Sequence, residues 1–389
     1  MVRLGIVLFI TACESFASIL IQRGVYFYAE DKLGWNDADN LWLALSLGSI
    51  YVVSAVVSHR VSDRLGERRV LVTALSCQLF CYAALLIQPD GVVLAVSATV
   101  FNGLSGFKWP VIESYVSAGR TPQQTKQAIG RFNMVWATAV PASLLVTGPI
   151  IQFWSPGLFV GGLSLTLVAI VSSFKLPAIP EHLPDDHPER FDDEHLAHLH
   201  ALTGSSRWSM LSTYALVALL NPLMPGIFKG LGFSVAIATA LAAIVDVVRL
   251  ITFWLLERFH GWHGKASMLV IVFIGIPFGF AMMRFGGNIW IVIGGEVIIG
   301  VATGLSYYAA LYYAMVVKNA SVEAGAGHEA MIGSGFLIGP IAGIIAVKVG
   351  ATNAILGAAI GVGPLIGITA ALGLWPLVKL MGRGDKVTR

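Results

Sequence analysis

Twelve long apolar runs follow one another along the chain, and they dictate the kind of fold it can adopt. They fall near residues 4–22, 41–58, 70–88, 91–117, 132–153, 156–175, 208–228, 231–256, 267–284, 289–317, 329–349 and 352–378. A hydrocarbon core about 30 Å thick is crossed by about 20 apolar residues in helical form, so each run is of spanning length. Backbone groups in lipid must be satisfied within their own segment, which makes the runs helices. With 56% of residues hydrophobic and only 12% charged among 389, there is too little polar surface for a soluble globule of this size. The chain therefore reads as an all-α polytopic membrane protein with twelve transmembrane helices. The first run follows Arg3 in the manner of a signal peptide, but Glu14 interrupts it and no small-residue cleavage site closes it, so it is expected to remain as the first helix.

The distribution of positive charge sets the expected orientation. With the N-terminus inside, 18 of the 25 Lys and Arg residues fall in cytoplasmic segments, five fall in outer loops, and Lys108 and Arg249 lie within spans. This bias places both termini in the cytoplasm, with the cytoplasmic (inner) membrane as the expected location. It also accounts for the net charge of +3 without any nucleic-acid partner. Cys13, Cys77 and Cys81 lie in apolar runs and read as small core residues, with no disulfide framework or metal spacing.

A weak internal repeat divides the chain. Leu33–Trp35 (LGW) is echoed by Leu231–Phe233 (LGF) at an offset of 198, and near 197 Gly103 maps to Gly300, Tyr115 to Tyr312, Gly130 to Gly327 and Met134 to Met331. The expected architecture is two pseudo-symmetric six-helix bundles, 1–175 and 208–389, joined by a cytoplasmic linker at 176–207. That polar segment holds His182, His187, His195, His198 and His200 among several acids. Two readings stand: a metal site on His195 and His198, or a solvated tether stiffened by Pro177, Pro180, Pro184 and Pro188. The tether is the one adopted, with no metal and no cofactor.

Between the second and third runs lies a charged hairpin, Ser58–Leu71, with sequence SHRVSDRLGERRVL. Gly66 suits a positive φ in a tight turn. Asp63, Arg64, Gly66, Arg68 and Leu71, with Arg69 beside them, resemble the loop between the second and third helices of the major facilitator superfamily, G-x-L-a-D-R-x-G-R-K-x-x-L. His59 and Glu67 depart from that pattern. The resemblance implies a secondary active transporter working by alternating access, in which this hairpin is a cytoplasmic gate motif. The Asp would cap a neighbouring helix and pair with Arg, and helices one, four, seven and ten would line a central cavity. A plain positive-inside loop is the alternative account of the hairpin.

Ionisable residues inside spans cost at least about 2.5 kcal/mol and so mark candidate sites. Four acids, Glu14, Glu113, Asp246 and Glu296, stand against Lys108 and Arg249. Asp246 and Arg249 are three apart and form an expected intramembrane ion pair, structural or functional. Glu14 and Glu296 have no basic neighbour within a turn, and with Asp246 they are the proton-coupling candidates. Glu296, Gly300, Thr303 and Tyr307 share one helical face, read either as a polar track into the cavity or as a packing stripe. Asn102, Lys108 and Glu113 on the fourth helix complete the cavity candidates, with Lys108 either binding an anionic group or pairing with an acid on another helix. Gly335, Gly339, Pro340 and Gly343 form a G-x-x-x-G-P-x-x-G motif similar to one on the fifth helix of antiporters. On the eleventh helix it reads as close packing.

The function expected from these residues is proton-coupled movement of a small solute, leaning to efflux by antiport, by a monomer. Uptake of a polar nutrient or organic anion is the alternative, and a non-transporting receptor or scaffold of the same fold is the alternative outside transport. No G-x-x-x-x-G-K-[ST] loop, H-E-x-x-H or supported G-x-S-x-G is present, so neither ATP use nor an intramembrane enzyme is expected.

Overall fold

The computed structural model describes residues 2–181, 193–262, 264–317 and 322–387. Sixteen α-helices and two short 3-10 turns make up the regular structure of the described residues. The first helices are α1 (Leu4–Gln22), α2 (Gly24–Leu33), α3 (Asp37–Leu65), α4 (Glu67–Ile87), α5 (Gly91–Ser117), α6 (Pro122–Trp154) and α7 (Gly157–Ser173). They are followed by α8 (Asp193–Leu220), α9 (Met224–Gly230), α10 (Val235–Ala242), α11 (Ile244–Arg258) and α12 (Ser267–Phe285). The last are α13 (Ile289–Val317), α14 (Val322–Val349), α15 (Ala354–Gly361) and α16 (Gly363–Val387).

Eleven helical stretches among the described residues are long and apolar enough to cross a membrane, and α7, at 17 residues, is a shorter apolar helix at the place of the sixth expected run. The first span differs from the sequence expectation. It continues from Leu4 to Leu33, because the chain resumes helical form as α2 after one irregular residue, Arg23, with φ −122° and ψ −38°. Arg23, expected in an outer loop, is instead a buried cation inside an apolar span.

Local chemistry explains where several helices begin. Asn36 accepts hydrogen bonds from the Ala38 and Asp39 amides, and the Asp39 carboxylate accepts one from the Asn36 amide, a reciprocal cap on α3. Asp90 caps α5 by accepting from the amides of Val92 and Val93, both at 2.9 Å. The bond from Val93, with others from Gln88 and Val92, holds the exposed Asp90 carboxyl below its ordinary range. Gly66, between α3 and α4, takes φ +83°, which favours glycine.

Helices α1, α3, α4, α5, α6 and α7 pack among themselves, as do α8 and α11 to α16. The two sets meet chiefly where α3 lies on α14 and α6 lies on α10 and α11. Gly48 lets α3 approach the α14 backbone at Phe336, and Gly148 lets α6 approach α10 at Val235 and Thr239; a Cβ at either would collide. The motif glycines of α14 do the same job. Gly335 and Gly339 seat against Tyr214 and Ala215 of α8, and Gly343 seats against Leu41 and Leu219, with Pro340 inside the same helix.

The hairpin gate motif is arranged differently from what the family resemblance implied. The ion pair of Asp63 among the described residues is with His59, one turn back on its own helix, at 3.3 Å, and its side chain stays 60% exposed. Arg68 makes the longer tie, donating from its side chain to Leu176 O at 2.9 Å and from its amide to Ala178 O. Tyr115 donates to Pro177 O at 2.7 Å, so the chain leaving α7 is held against the hairpin. The expected tether is also shorter, because α8 is helical from Asp193. His182, His187, Pro184 and Pro188 lie outside the described residues, as does the side chain of His195. His198 Nε2 meets Gly264 O at 2.9 Å. No group of three metal-binding side chains occurs among the described residues.

Candidate functional site

A cavity of about 190 Å³ lies where the two helix sets meet, walled by α1, α3, α5 and α6 on one side and α8, α11, α13 and α14 on the other. Its charged lining is divided between two ends. At one end Asp246 of α11 sits between two guanidinium groups. Arg249 Nη2 forms an ion pair with Asp246 Oδ1 at 2.7 Å, and Arg23 Nη1 donates to Oδ2 of the same carboxylate. Arg23 also donates to Ala242 O at 3.3 Å. The Arg249 guanidinium stacks over Trp136 of α6, 4.7 Å from the ring centroid, while its buried Nε has no acceptor.

The other end is acidic. Glu113 of α5 and Glu329 of α14 meet side chain to side chain. Tyr51 of α3 donates its hydroxyl to Glu329 Oε2, and Glu113 Oε2 is buried without a partner. The pair brings one carboxyl from each helix set together in the cavity wall. Tyr214 and Tyr307 line the same cavity, their ring centroids 6.1 Å apart. Trp136 stands edge-on to Tyr307 at 5.0 Å, giving the cavity aromatic walls.

The sequence candidates divide on this geometry. Asn102, Glu113, Tyr307, Asp246 and Arg249 line the cavity. Asn102 is fixed by accepting from Gln22 at 2.8 Å and donating to Leu47 O at 2.7 Å. Asp246 and Arg249 pair as their spacing implied, with Arg23 added. Lys108, Gly300 and Thr303 are not part of the lining. Lys108 is fully buried on Glu14 Oε2 at 2.7 Å and Ser18 Oγ at 2.9 Å, so it pairs with an acid on another helix and offers no free charge to a solute. The same contact corrects the reading of Glu14 as an acid without a partner. Gly300 abuts Val245 and Val248 of α11, and Thr303 donates back to Ile299 and Gly300 carbonyls, so that part of the face is packing. Glu296 is fully buried with neither oxygen hydrogen-bonded, and Arg23 and Asp246 are the charges that act on it.

Sequence reasoning missed Arg23, Glu329, Tyr51, Tyr214 and Trp136. Arg23 carried a signal, since Gly24–Ala29 (GVYFYA) continues the apolar run past it; Glu329 carried a fainter one, at the opening of the eleventh run.

Comparison with known proteins agrees with this architecture. The family model of the Major Facilitator Superfamily matches residues 6–346. No curated protein matches the sequence. Among solved structures, the chain is similar to a POT family transporter in complex with 5-aminolevulinic acid, with TM-score 0.74 and 11% identity over 99% of this chain and 96% of that one. It is also similar to a point mutant of the nucleoside transporter NupG, with TM-score 0.68 and 14% identity over 97% and 99% of the two chains. The human organic anion transporter MFSD10 (TETRAN) aligns with TM-score 0.64 and 12% identity over 96% and 97%. At such identities these likenesses establish the fold. With the family match over most of its length, the chain belongs to the Major Facilitator Superfamily and is a multi-pass membrane transporter, not an enzyme.

Proposed function

We propose that the protein is a proton-coupled secondary transporter of the cytoplasmic membrane, with both termini inside, that exports a small organic solute in exchange for protons. The observation that supports this most directly is the Glu113–Glu329 pair in the cavity wall. One carboxyl stands on α5 and the other on α14, so each helix set contributes half of the site. Rocking of the 1–175 and 208–389 halves about the cavity separates the two carboxyls and removes the proximity that favours a shared proton. Proton occupancy is then tied to which side the cavity faces. A donor group of the solute and the proton compete for the same oxygens, and competition for one site through alternating access gives exchange.

Among the described residues, the groups that face the pair are Tyr51 on α3, Tyr214 on α8 and Tyr307 on α13, none of them a cation. Glu296, buried without a hydrogen-bond partner, is the second candidate proton carrier. The related structures are named for a nucleoside, organic anions and 5-aminolevulinic acid, so the shared fold leaves the solute open.

A second reading, uptake of an organic anion together with a proton, is favoured by the cavity lining around Asp246, where Arg23 and Arg249 meet that single carboxylate while Glu296 stays outside the lining. Proteoliposomes with a trapped pH dye separate the two, using a panel of nucleosides, organic anions, amino acids and dipeptides. Exchange predicts that solute and proton move in opposite directions, and that Glu113→Gln and Glu329→Gln each abolish solute-driven proton movement beyond any weakening of solute–solute exchange. Co-directional movement establishes the uptake reading. Undiminished proton movement in both Gln variants excludes the pair as the coupling site.

A further inference from the structure

We infer that the transported solute is a small zwitterion with a planar body, its anionic group held by Arg249 and its protonated amine by Glu113 and Glu329. This rests on the transport reading above and adds the chemical class of the solute.

At the basic end the donors outnumber the acceptors. Asp246 gives one oxygen to Arg23 and one to Arg249 Nη2, and Arg249 lines the cavity with no further acceptor for its guanidinium among the described residues. A guanidinium presents five donors in a fixed fork that suits a carboxylate, and an unmet charged donor in a buried site is costly. Glu296 lies close enough to act on Arg23 and Asp246, but it hydrogen-bonds to neither and is not part of the lining. An anionic group entering from the cavity completes Arg249.

The acidic end shows the complementary deficit. Glu113 and Glu329 both line the cavity, and the one hydroxyl donated to them among the described residues, from Tyr51, goes to Glu329. An ammonium group brings three donors and no acceptor, so it can satisfy both carboxyls at once in place of their proton. A solute with only a cation would bring it into a cavity whose other end holds two guanidiniums. One with only an anion would meet two carboxyls. Each end therefore selects against the singly charged form that suits the other.

The lining and the size narrow the class. Trp136, Tyr214 and Tyr307 add aromatic surface to the lining, which favours a planar body. About 190 Å³ is smaller than the roughly 300–1,000 Å³ typical of drug-sized pockets, so the solute is of amino-acid size.

The test uses matched probes on the purified full chain, so no variant has to fold for it to decide. L-phenylalanine is compared with N-acetyl-L-phenylalanine, which lacks the amine charge, and L-phenylalaninamide, which lacks the carboxylate; the same three forms of tryptophan give a larger body. Calorimetric titration should show each singly charged form binding at least about tenfold more weakly than its zwitterion, the loss of one charge-assisted hydrogen bond. Arg249→Gln should erase the preference over the amide, Arg249→Lys should keep part of it, and Glu113→Gln should erase the preference over the acetylated form. Equal or tighter binding of the singly charged forms overturns the inference, as does absence of binding by both zwitterions. If proton movement driven by another solute class persists in that case, the transport reading stands and this one falls. Zwitterion binding without any solute-driven proton movement does the reverse.

Discussion

Removing either member of the Glu14–Lys108 pair should destabilise the protein, and by unequal amounts. Both side chains are fully buried, and the contact joins α1 to α5 at 2.7 Å. Glu14 has that one partner, since its second oxygen is buried with none. Lys108→Met therefore strands a carboxylate, and breaking a buried pair in this way costs about 3–5 kcal/mol. Glu14→Gln is milder. Its amide oxygen can still accept from Lys108, which also keeps Ser18 Oγ at 2.9 Å, Gln78 Oε1 at 3.4 Å and the ring of Trp109 at 5.0 Å. The loss is then the charge on one hydrogen bond, about 1.5–3 kcal/mol. The double variant has no stranded charge and should recover most of the Lys108→Met loss, because replacing a whole buried pair with groups of similar volume is often close to neutral. Reversible unfolding of purified protein in mixed micelles, titrated with SDS, measures all three and closes the double-mutant cycle. Equal single losses below about 1 kcal/mol, or losses that simply add in the double variant, would refute a structural ion pair. A change in solute-driven proton movement beyond the loss of folded protein would return Glu14 to the coupling machinery.

Other variants probe the remaining contacts. Asp246→Asn leaves Arg23 and Arg249 with one neutral acceptor between them and should lower stability by about 3–5 kcal/mol, partly restored by adding Arg23→Gln; folded yield by size-exclusion chromatography reads both. Arg68→Ala should cost about 1 kcal/mol and speed exchange of the residue-68 amide, which is bonded to Ala178 O, whereas Asp63→Asn, on an exposed i,i+4 pair, should change stability by less than about 0.5 kcal/mol. The reverse order would support the Asp-centred gate that the family resemblance implied. Gly339→Ala drives a methyl into the Ala215 backbone and should cost about 1–3 kcal/mol or more, while Gly367→Ala, with open space around it, should be neutral or stabilising by up to about 1 kcal/mol. Similar thermal stability for the two would show that α8 and α14 are not packed as described.

How much of this was legible in the sequence depends on the range over which each feature acts. Spans were legible because apolarity is a property of the segment itself, and the one omission has the same origin: the first run was closed at Arg23 although the apolar residues resume at Gly24. Asp246 and Arg249 were legible as a pair because three residues along one helix fix their separation. Glu14 and Lys108 were not, since they are 94 residues apart and only the packing of α1 on α5 joins them. Helical period placed Glu296, Gly300, Thr303 and Tyr307 on one face, but period says nothing about which neighbour that face meets. In the folded chain Gly300 meets α11, whereas Tyr307, two turns further on, reaches the cavity. The same limit hid the acidic end. Glu113 drew notice as a cavity candidate on the fourth helix and Glu329 drew none, and their meaning comes from facing each other across two helix sets. A transporter that couples a proton to rocking needs its proton site divided between the parts that move, and contacts between such parts are the ones that local sequence pattern records least.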